Sequence, residues 1–190
     1  MKIAELVSLI TPLFIRELYQ EDLAEAERVR AAGCPHCGGA LHRAHYPRKA
    51  RGVEEELREL EHRESFCCAE CRKRSTPKSV RFLGRKVYVA LCVVGASILR
   101  SGGTTVGKIS AHLGMSEETL RRWARWWTKA VQSSRWWKAN QAEVMPPIKD
   151  KHWLGELFER FLIRAETVEA AIRKLLTFVS PFTVPVHYPS

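Results

Sequence analysis

The chain's 190 residues give room for one ordinary domain or two or three small modules. Lysine and arginine total 31 against 21 aspartate and glutamate, a formal charge of +10, and 45% of residues are hydrophobic, which argues against a disordered chain. The longest nearly uncharged apolar stretch, Val87–Leu99, has 13 residues, short of the roughly 20 that cross a bilayer. No apolar run followed by a small-residue cleavage site opens the chain, so no signal peptide is expected and the expected location is cytoplasmic.

Nearly all of the excess charge sits in one stretch. Residues 81–140 carry 11 basic and two acidic side chains, net +9, whereas residues 1–32 are at −2, 33–80 at +3 and 141–190 at zero. A concentrated excess of this kind is an electrostatic footprint for a polyanion.

In chain order, residues 1–32 read as an N-terminal helical segment. Thr11-Pro12 supplies a cap and a first-turn proline, Leu13, Ile15, Leu18, Tyr19, Leu23, Ala26 and Val29 recur near helical spacing, and Gly33 is a stop. Its helix is expected to pack on the rest of the chain or to dimerise. Residues 33–80 bring cysteines, basic clusters and turn residues together. Ala40–Tyr46 and Arg63–Cys67 fit short strands, and residues 52–60 fit a loop or short helix. Three helices are expected over Gly84–Leu99, Thr105–Leu113 and Glu117–Val131, the first apolar on most sides and therefore buried. Residues 141–190 read as a Pro146-Pro147 linker, one helix starting near Trp153, a second after a Thr167 cap, and a tail with Pro181, Pro185 and Pro189.

Six cysteines occur, at positions 34, 37, 67, 68, 71 and 92. Cys34-Pro-His-Cys37-Gly-Gly is a knuckle sequence, in which C-x-x-C lets two thiolates converge on one ion and the glycines permit the backbone beyond the second ligand. A second C-x-x-C, Cys68-Ala-Glu-Cys71, follows. Two such pairs complete a tetrahedral Zn²⁺ and leave no open position, so the expected cofactor is structural zinc on Cys34, Cys37, Cys68 and Cys71. Cys67 is the alternative to Cys68; in an extended segment it points the other way and reads as a packing residue. A reducing cytosol disfavours disulfides, and no strand–helix context supports a redox C-x-x-C. Cys92 falls inside an apolar helix and reads as core. His36, His42, His45 and His62 are not required as ligands. Arg72, Lys73 and Arg74 either offset the charge of the zinc tetrathiolate or contact phosphate.

Thr105–Trp123 matches a helix-turn-helix pattern. Ala111 is expected to let two helices cross closely, Gly114 to make the turn and Ser116 to cap the second helix. Val106, Ile109, Leu113, Leu120, Trp123 and Trp127 would form the shared core. Glu117, Glu118, Arg121, Arg122 and Arg125 are then left outside, on the face that enters a major groove in such motifs. Arg121 and Arg122 are the candidates for base edges, and Lys108, Arg125 and Lys129 for phosphates. The two glutamates would complement the helix dipole or accept from a cytosine amino group. Trp123, Trp126, Trp127, Trp136 and Trp137 form an aromatic cluster, partly core and partly a seat for the C-terminal helices or a partner. A base-stacking platform for single strands is the less favoured reading, because such platforms usually ride on strands.

The order of zinc ribbon, apolar helix and helix-turn-helix resembles the N-terminal DNA-binding region of bacterial insertion-sequence transposases. The run from Arg72 to Tyr88 is also similar to small zinc-ribbon proteins of bacterial mobile elements. The resemblance covers roughly residues 33–130 and implies the same four ligands and groove-facing residues on Glu117–Arg125. It departs at Arg72, where the second knuckle has no glycine. The fold class expected is mainly α with a small β zinc ribbon (33–80), then a tri-helical helix-turn-helix domain (81–140) and flanking helices. No RNase H-like catalytic part is visible, and aspartate occurs only at positions 22 and 150, so no enzyme is expected. The expected function is sequence-specific binding of double-stranded DNA at the bacterial nucleoid, as a transposon-associated accessory factor or transcriptional regulator. A homodimer or a transposase or recombinase is the expected partner. A protein-binding adaptor subunit of a recombination or transcription complex is the alternative.

Overall fold

The structure, a computed structural model, describes residues 2–45, 47, 50, 58–83, 88–144, 148 and 153–183. It is mainly helical with small antiparallel sheets. Two compact units divide the chain: a cysteine unit of Ile10–Ala90 with Leu176–Ser190, and a helical unit of Met1–Leu9 with Leu91–Leu175.

The cysteine unit starts with helix α2 (Pro12–Ala32), which follows the short α1 (Ile3–Leu9) of the helical unit. Thr11 is extended and its Oγ1 accepts from the Phe14 N–H at 3.2 Å, while Gly33 ends the helix at φ +79°. The helix buries Phe14, Ile15, Leu18, Asp22 and Ala26, one stripe at three- and four-residue spacing. Strands β1 (Leu41–Arg43), β2 (Phe66–Cys68) and β3 (Arg74–Ser75) form an antiparallel sheet with β2 central, Leu41 facing Cys68 and Phe66 facing Ser75. Of the segment 52–60, residues 52–57 lie outside the described residues and Arg58–Leu60 is a 3₁₀ turn.

A second ribbon corrects the helix expected from Gly84. Strands β4 (Phe82–Leu83) and β5 (Tyr88–Val89) pair antiparallel, and helix α3 (Ala90–Ser101) begins only after them; residues 84–87 lie outside the described residues. A short continuous apolar run does not distinguish a buried strand from a buried helix, and aromatic Tyr88 beside β-branched Val89 suits the strand.

One buried polar group ties α2 to this ribbon. Asp22 accepts from the Val80 N–H at 2.7 Å, the Ser79 hydroxyl at 2.5 Å and Arg81 Nε at 2.8 Å. Arg81 Nη1 donates to the Glu59 carbonyl, and its guanidinium lies 4.2 Å from the Tyr19 ring centroid. Arg81 is 1% exposed, so the carboxylate is its only counter-charge among the described residues.

In the helical unit, Leu6 of α1 is seated against α3 at Gly95, where an added Cβ would come within 2.3 Å of Leu6 Cδ1. Helices α4 (Val106–Leu113) and α5 (Glu117–Trp126) are joined by Gly114-Met115-Ser116. Gly114 takes the left-handed conformation (φ +59°) that the tight turn needs, and Ser116 Oγ accepts from the Thr119 N–H. Ile109, Leu113, Met115, Leu120, Trp123 and Trp127 are buried, and Val106 is half-buried. Ala111 is exposed, which corrects the spacer role expected of it. Helix α5 also ends earlier than expected, widening at Trp127–Val131 into a π-helical segment. Helices α6 (Arg135–Asn140), α7 (Trp153–Ile163) and α8 (Val168–Val179) follow, α8 starting where Thr167 Oγ1 accepts from Ala170 N–H. The Trp137 and Trp153 rings lie 4.7 Å apart, so Trp137 seats α7 as anticipated. The Pro146-Pro147 linker and Pro185 and Pro189 lie outside the described residues, and Pro181 sits in a 3₁₀ turn.

Removing the Asp22 carboxylate strands a buried guanidinium. Asp22→Ala is expected to cost about 3–5 kcal/mol of stability, read by chemical denaturation; a loss under about 1 kcal/mol would contradict the buried-pair account.

Candidate functional site

The two C-x-x-C segments fold into matching turns. In each, the first cysteine's N–H donates to the carbonyl five residues on, Cys34 to Gly39 at 2.9 Å and Cys68 to Lys73 at 3.0 Å. In each, the residue after the second cysteine has a left-handed backbone, Gly38 at φ +75° and Arg72 at φ +58°. Arg72 therefore occupies the conformation a glycine would take without cost, and the departure noted in the sequence is absorbed as local backbone strain. The turns approach closely: a Cβ on Gly39 would lie 3.1 Å from Cys68 Sγ.

This closeness brings four sulfurs together. The Sγ atoms of Cys34, Cys37, Cys68 and Cys71 all lie within 4.8 Å of one another, with Cys34–Cys71 at 3.6 Å and Cys37–Cys68 at 3.5 Å. A tetrahedron with Zn–S bonds of ~2.3 Å has edges of about 3.8 Å, whereas a disulfide needs about 2.05 Å. The four cysteines are free thiols close enough to hold a metal ion, and the set is compatible with structural zinc. Cys67 is not among them: its Sγ lies 3.5 Å from the Arg72 carbonyl, on the other side of β2. Cys92 is fully buried, and burial pushes its thiol up to about 12.

The cluster acts differently on its sulfurs. The Cys71 N–H, followed by the thiol of Cys37, holds the Cys68 pKa down to about 7, so this sulfur ionises readily. Cys71 is pushed up to about 12: the Lys73 N–H lowers it, but burial and the three neighbouring sulfurs outweigh that. A bound cation reverses such mutual repulsion among thiolates. Beneath the cluster, Ala26, Cys34, Leu41, Phe66 and Cys68 pack as one buried group, joining the four sulfurs to α2 and to β2.

Of the basic run beside it, Arg74 braces the sheet, donating to the Ala44 carbonyl and the Ser65 hydroxyl, both at 2.7 Å. His36 and His42 are exposed. His45 and His62 form a group the sequence did not suggest. Buried Glu64 lies 3.4 Å from His45 Nδ1 and 3.3 Å from His62 Nε2, and the Tyr19 hydroxyl lies 3.4 Å from His62. Burial, aided by Glu64, raises the Tyr19 pKa. The one available signal was the i, i+2 spacing of His62 and Glu64, which puts both on one side of an extended chain.

In the helical unit, α5 buries Leu120 and Trp123 and exposes Arg121, Arg122 and Arg125; Glu118, Lys108 and Lys129 are exposed and Glu117 is half-exposed. Arg121 pairs with Glu117 at 2.5 Å and Arg125 with Glu118 at 3.0 Å. The two acids, expected to meet the helix dipole or a base, thus also hold two of the arginines. Arg81 contributes to the count of +9 but not to the surface, since it is the buried partner of Asp22. Among the described residues, no helix is long and apolar enough to cross a membrane.

Comparison with known protein families, curated proteins and solved structures returned no significant match.

Two measurements check the metal centre. Elemental analysis is expected to find one zinc per chain, lost from Cys34→Ser and Cys68→Ser and retained by Cys67→Ser. Zinc affinity should fall as pH is lowered, because protons compete for the thiolates. Separately, Arg72→Gly is expected to stabilise the zinc-loaded protein by about 1 kcal/mol in thermal melts, by relieving the left-handed backbone.

Proposed function

We propose that the chain is a zinc-stabilised, sequence-specific double-stranded DNA-binding protein. Its metal centre is a zinc ribbon, and α4–α5 is a helix-turn-helix whose second helix enters the major groove. The observation that carries this reading is the division of α5, with Leu120 and Trp123 inward and Arg121, Arg122 and Arg125 outward. An arginine fork suits the O6 and N7 of guanine, and each such bidentate pair discriminates by about 1–3 kcal/mol. Arg121 and Arg122 are assigned to base edges and Lys108, Arg125 and Lys129 to phosphates, with Glu117 and Glu118 as part of the same surface.

The glutamate pairs are compatible with this role. Exposed ion pairs contribute about 0–1 kcal/mol, so DNA can exchange them for stronger contacts. Until it does, they keep Arg121 and Arg125 extended along the helix and lower the entropy lost on docking. The resemblance to insertion-sequence transposases supports a role as accessory factor or transcriptional regulator of a mobile element.

Selection from a random duplex pool with zinc-loaded protein is expected to yield a defined site. With ~6 phosphates contacted, log affinity should fall with log salt at a slope of about −5. Arg121→Ala with Arg122→Ala should abolish site preference. Salt-independent binding, or a partner protein that still binds the double variant while DNA never does, would replace this reading with the adaptor.

A further inference from the structure

We infer that Arg100, in the last turn of α3, is a phosphate-binding residue of the DNA surface. The assignment rests on the DNA reading above and deepens it: one backbone strand of the duplex is held from two helices, α3 as well as α5.

Helical spacing brings Arg100 to the arginines of α5. Ser97, Arg100 and Ser101 stand at i, i+3 and i+4 on α3, Arg121, Ala124 and Arg125 repeat that spacing on α5, and all six line one cleft of about 480 Å³. Serine and alanine are small and leave room between the helices; the remaining side chains are guanidiniums. Helix α7 fixes the end of α3, because a Cβ added to Gly155 would lie 2.6 Å from Ser101 Cβ and the two helices therefore approach closely. Arg100 thus extends from a rigid base, which lowers the ordering cost of docking.

The end of α3 does not depend on this guanidinium. A basic side chain in a last helical turn often bonds the free carbonyls there. Here the carbonyls of Ile98, Leu99 and Arg100 already accept from the N–H groups of Gly102, Thr104 and Gly103, at 3.0, 3.0 and 3.1 Å, and the Ser97 carbonyl accepts from the Ser101 hydroxyl. Arg121 and Arg125 are each engaged by a glutamate, whereas Arg100 is exposed and has no ion-pair or hydrogen-bond partner among the described residues.

The cleft lining holds no acidic side chain. The hydroxyl hydrogens of Ser97, Ser101 and Thr128, also in the lining, are donated to helix carbonyls, so the guanidiniums are the side-chain donors left for an anion. A duplex phosphate is the anion this placement fits. A helix seated in the major groove has a sugar–phosphate strand along each flank, and the cleft runs along one flank of α5. A phosphate there accepts charge-assisted hydrogen bonds from Arg125 on one side and Arg100 on the other. Such a contact positions the protein and carries no base preference of its own.

Fluorescence anisotropy on the zinc-loaded full chain tests the assignment, using the duplex selected from a random pool and an unrelated duplex of equal length across a salt series. At about 0.1 M salt, Arg100→Gln should weaken both duplexes by about five- to ten-fold, and the log–log salt slope should shrink by about 0.9, with the preference between them kept. Arg100→Lys, which keeps the charge, should restore the slope. Arg164→Gln removes the same charge beyond the far end of α7 and should change neither affinity nor slope. In the wild-type protein, phenylglyoxal should modify Arg100, read by peptide mass spectrometry, and the duplex should protect it; if circular dichroism shows Arg100→Gln unfolded, this protection decides alone. The assignment is overturned if Arg100→Gln binds as wild type does, if it changes site preference instead of overall affinity, if Arg164→Gln matches it, or if the duplex leaves Arg100 open to phenylglyoxal. Wild-type protein that binds no duplex overturns the DNA reading itself.

Discussion

Convergence of four sulfurs from two turns about thirty residues apart is the constraint on which the cysteine unit depends. Its strands are two or three residues long, too short to hold a sheet by hydrogen bonds alone. The buried group around Phe66 includes two of the cysteines themselves, so the hydrophobic core and the ligand set are one assembly. Four thiolates this close would repel one another without a cation. A metal bound there would supply folding free energy as well as geometry.

The other unit works by a different division of labour. Its apolar helices α3 and α7 and its tryptophans provide the packing, and this frees α5 to spend one face entirely on charged side chains. An exposed arginine stripe flanked by carboxylates is a poor stability device, since such pairs contribute little in water.

Much of this was legible in the sequence wherever a local rule applied. Thr11-Pro12 and Gly33 bounded α2, Thr167 began α8, Gly114 and Ser116 shaped the α4–α5 turn, and the C-x-x-C spacing picked out the four sulfurs. What escaped depends on partners distant in the chain. Asp22 meets Arg81 across 59 residues, and Glu64 gathers two histidines only once the chain has turned. Tyr88 and Val89 join a strand because Phe82 and Leu83 lie opposite, although their composition continues smoothly into α3. The short α1 was not told apart from α2 within the helical segment 1–32 because seven residues carry too little periodicity to read, and it is Gly95 that makes room for it.

The wide turn at Trp127–Val131 has a geometric corollary. In an α-helix every side chain keeps fixed bearings with respect to those three and four places away. One loose coil breaks that phase, so Arg121 and Lys129 do not keep the bearing of about 80° that a regular α-helix gives two residues eight places apart. Cutting one residue from this coil would restore the ordinary pitch and swing everything downstream by a quarter-turn or so, altering no side chain upstream. The orientation of the tryptophan-rich end is thus encoded by chain length at this point as much as by chemistry.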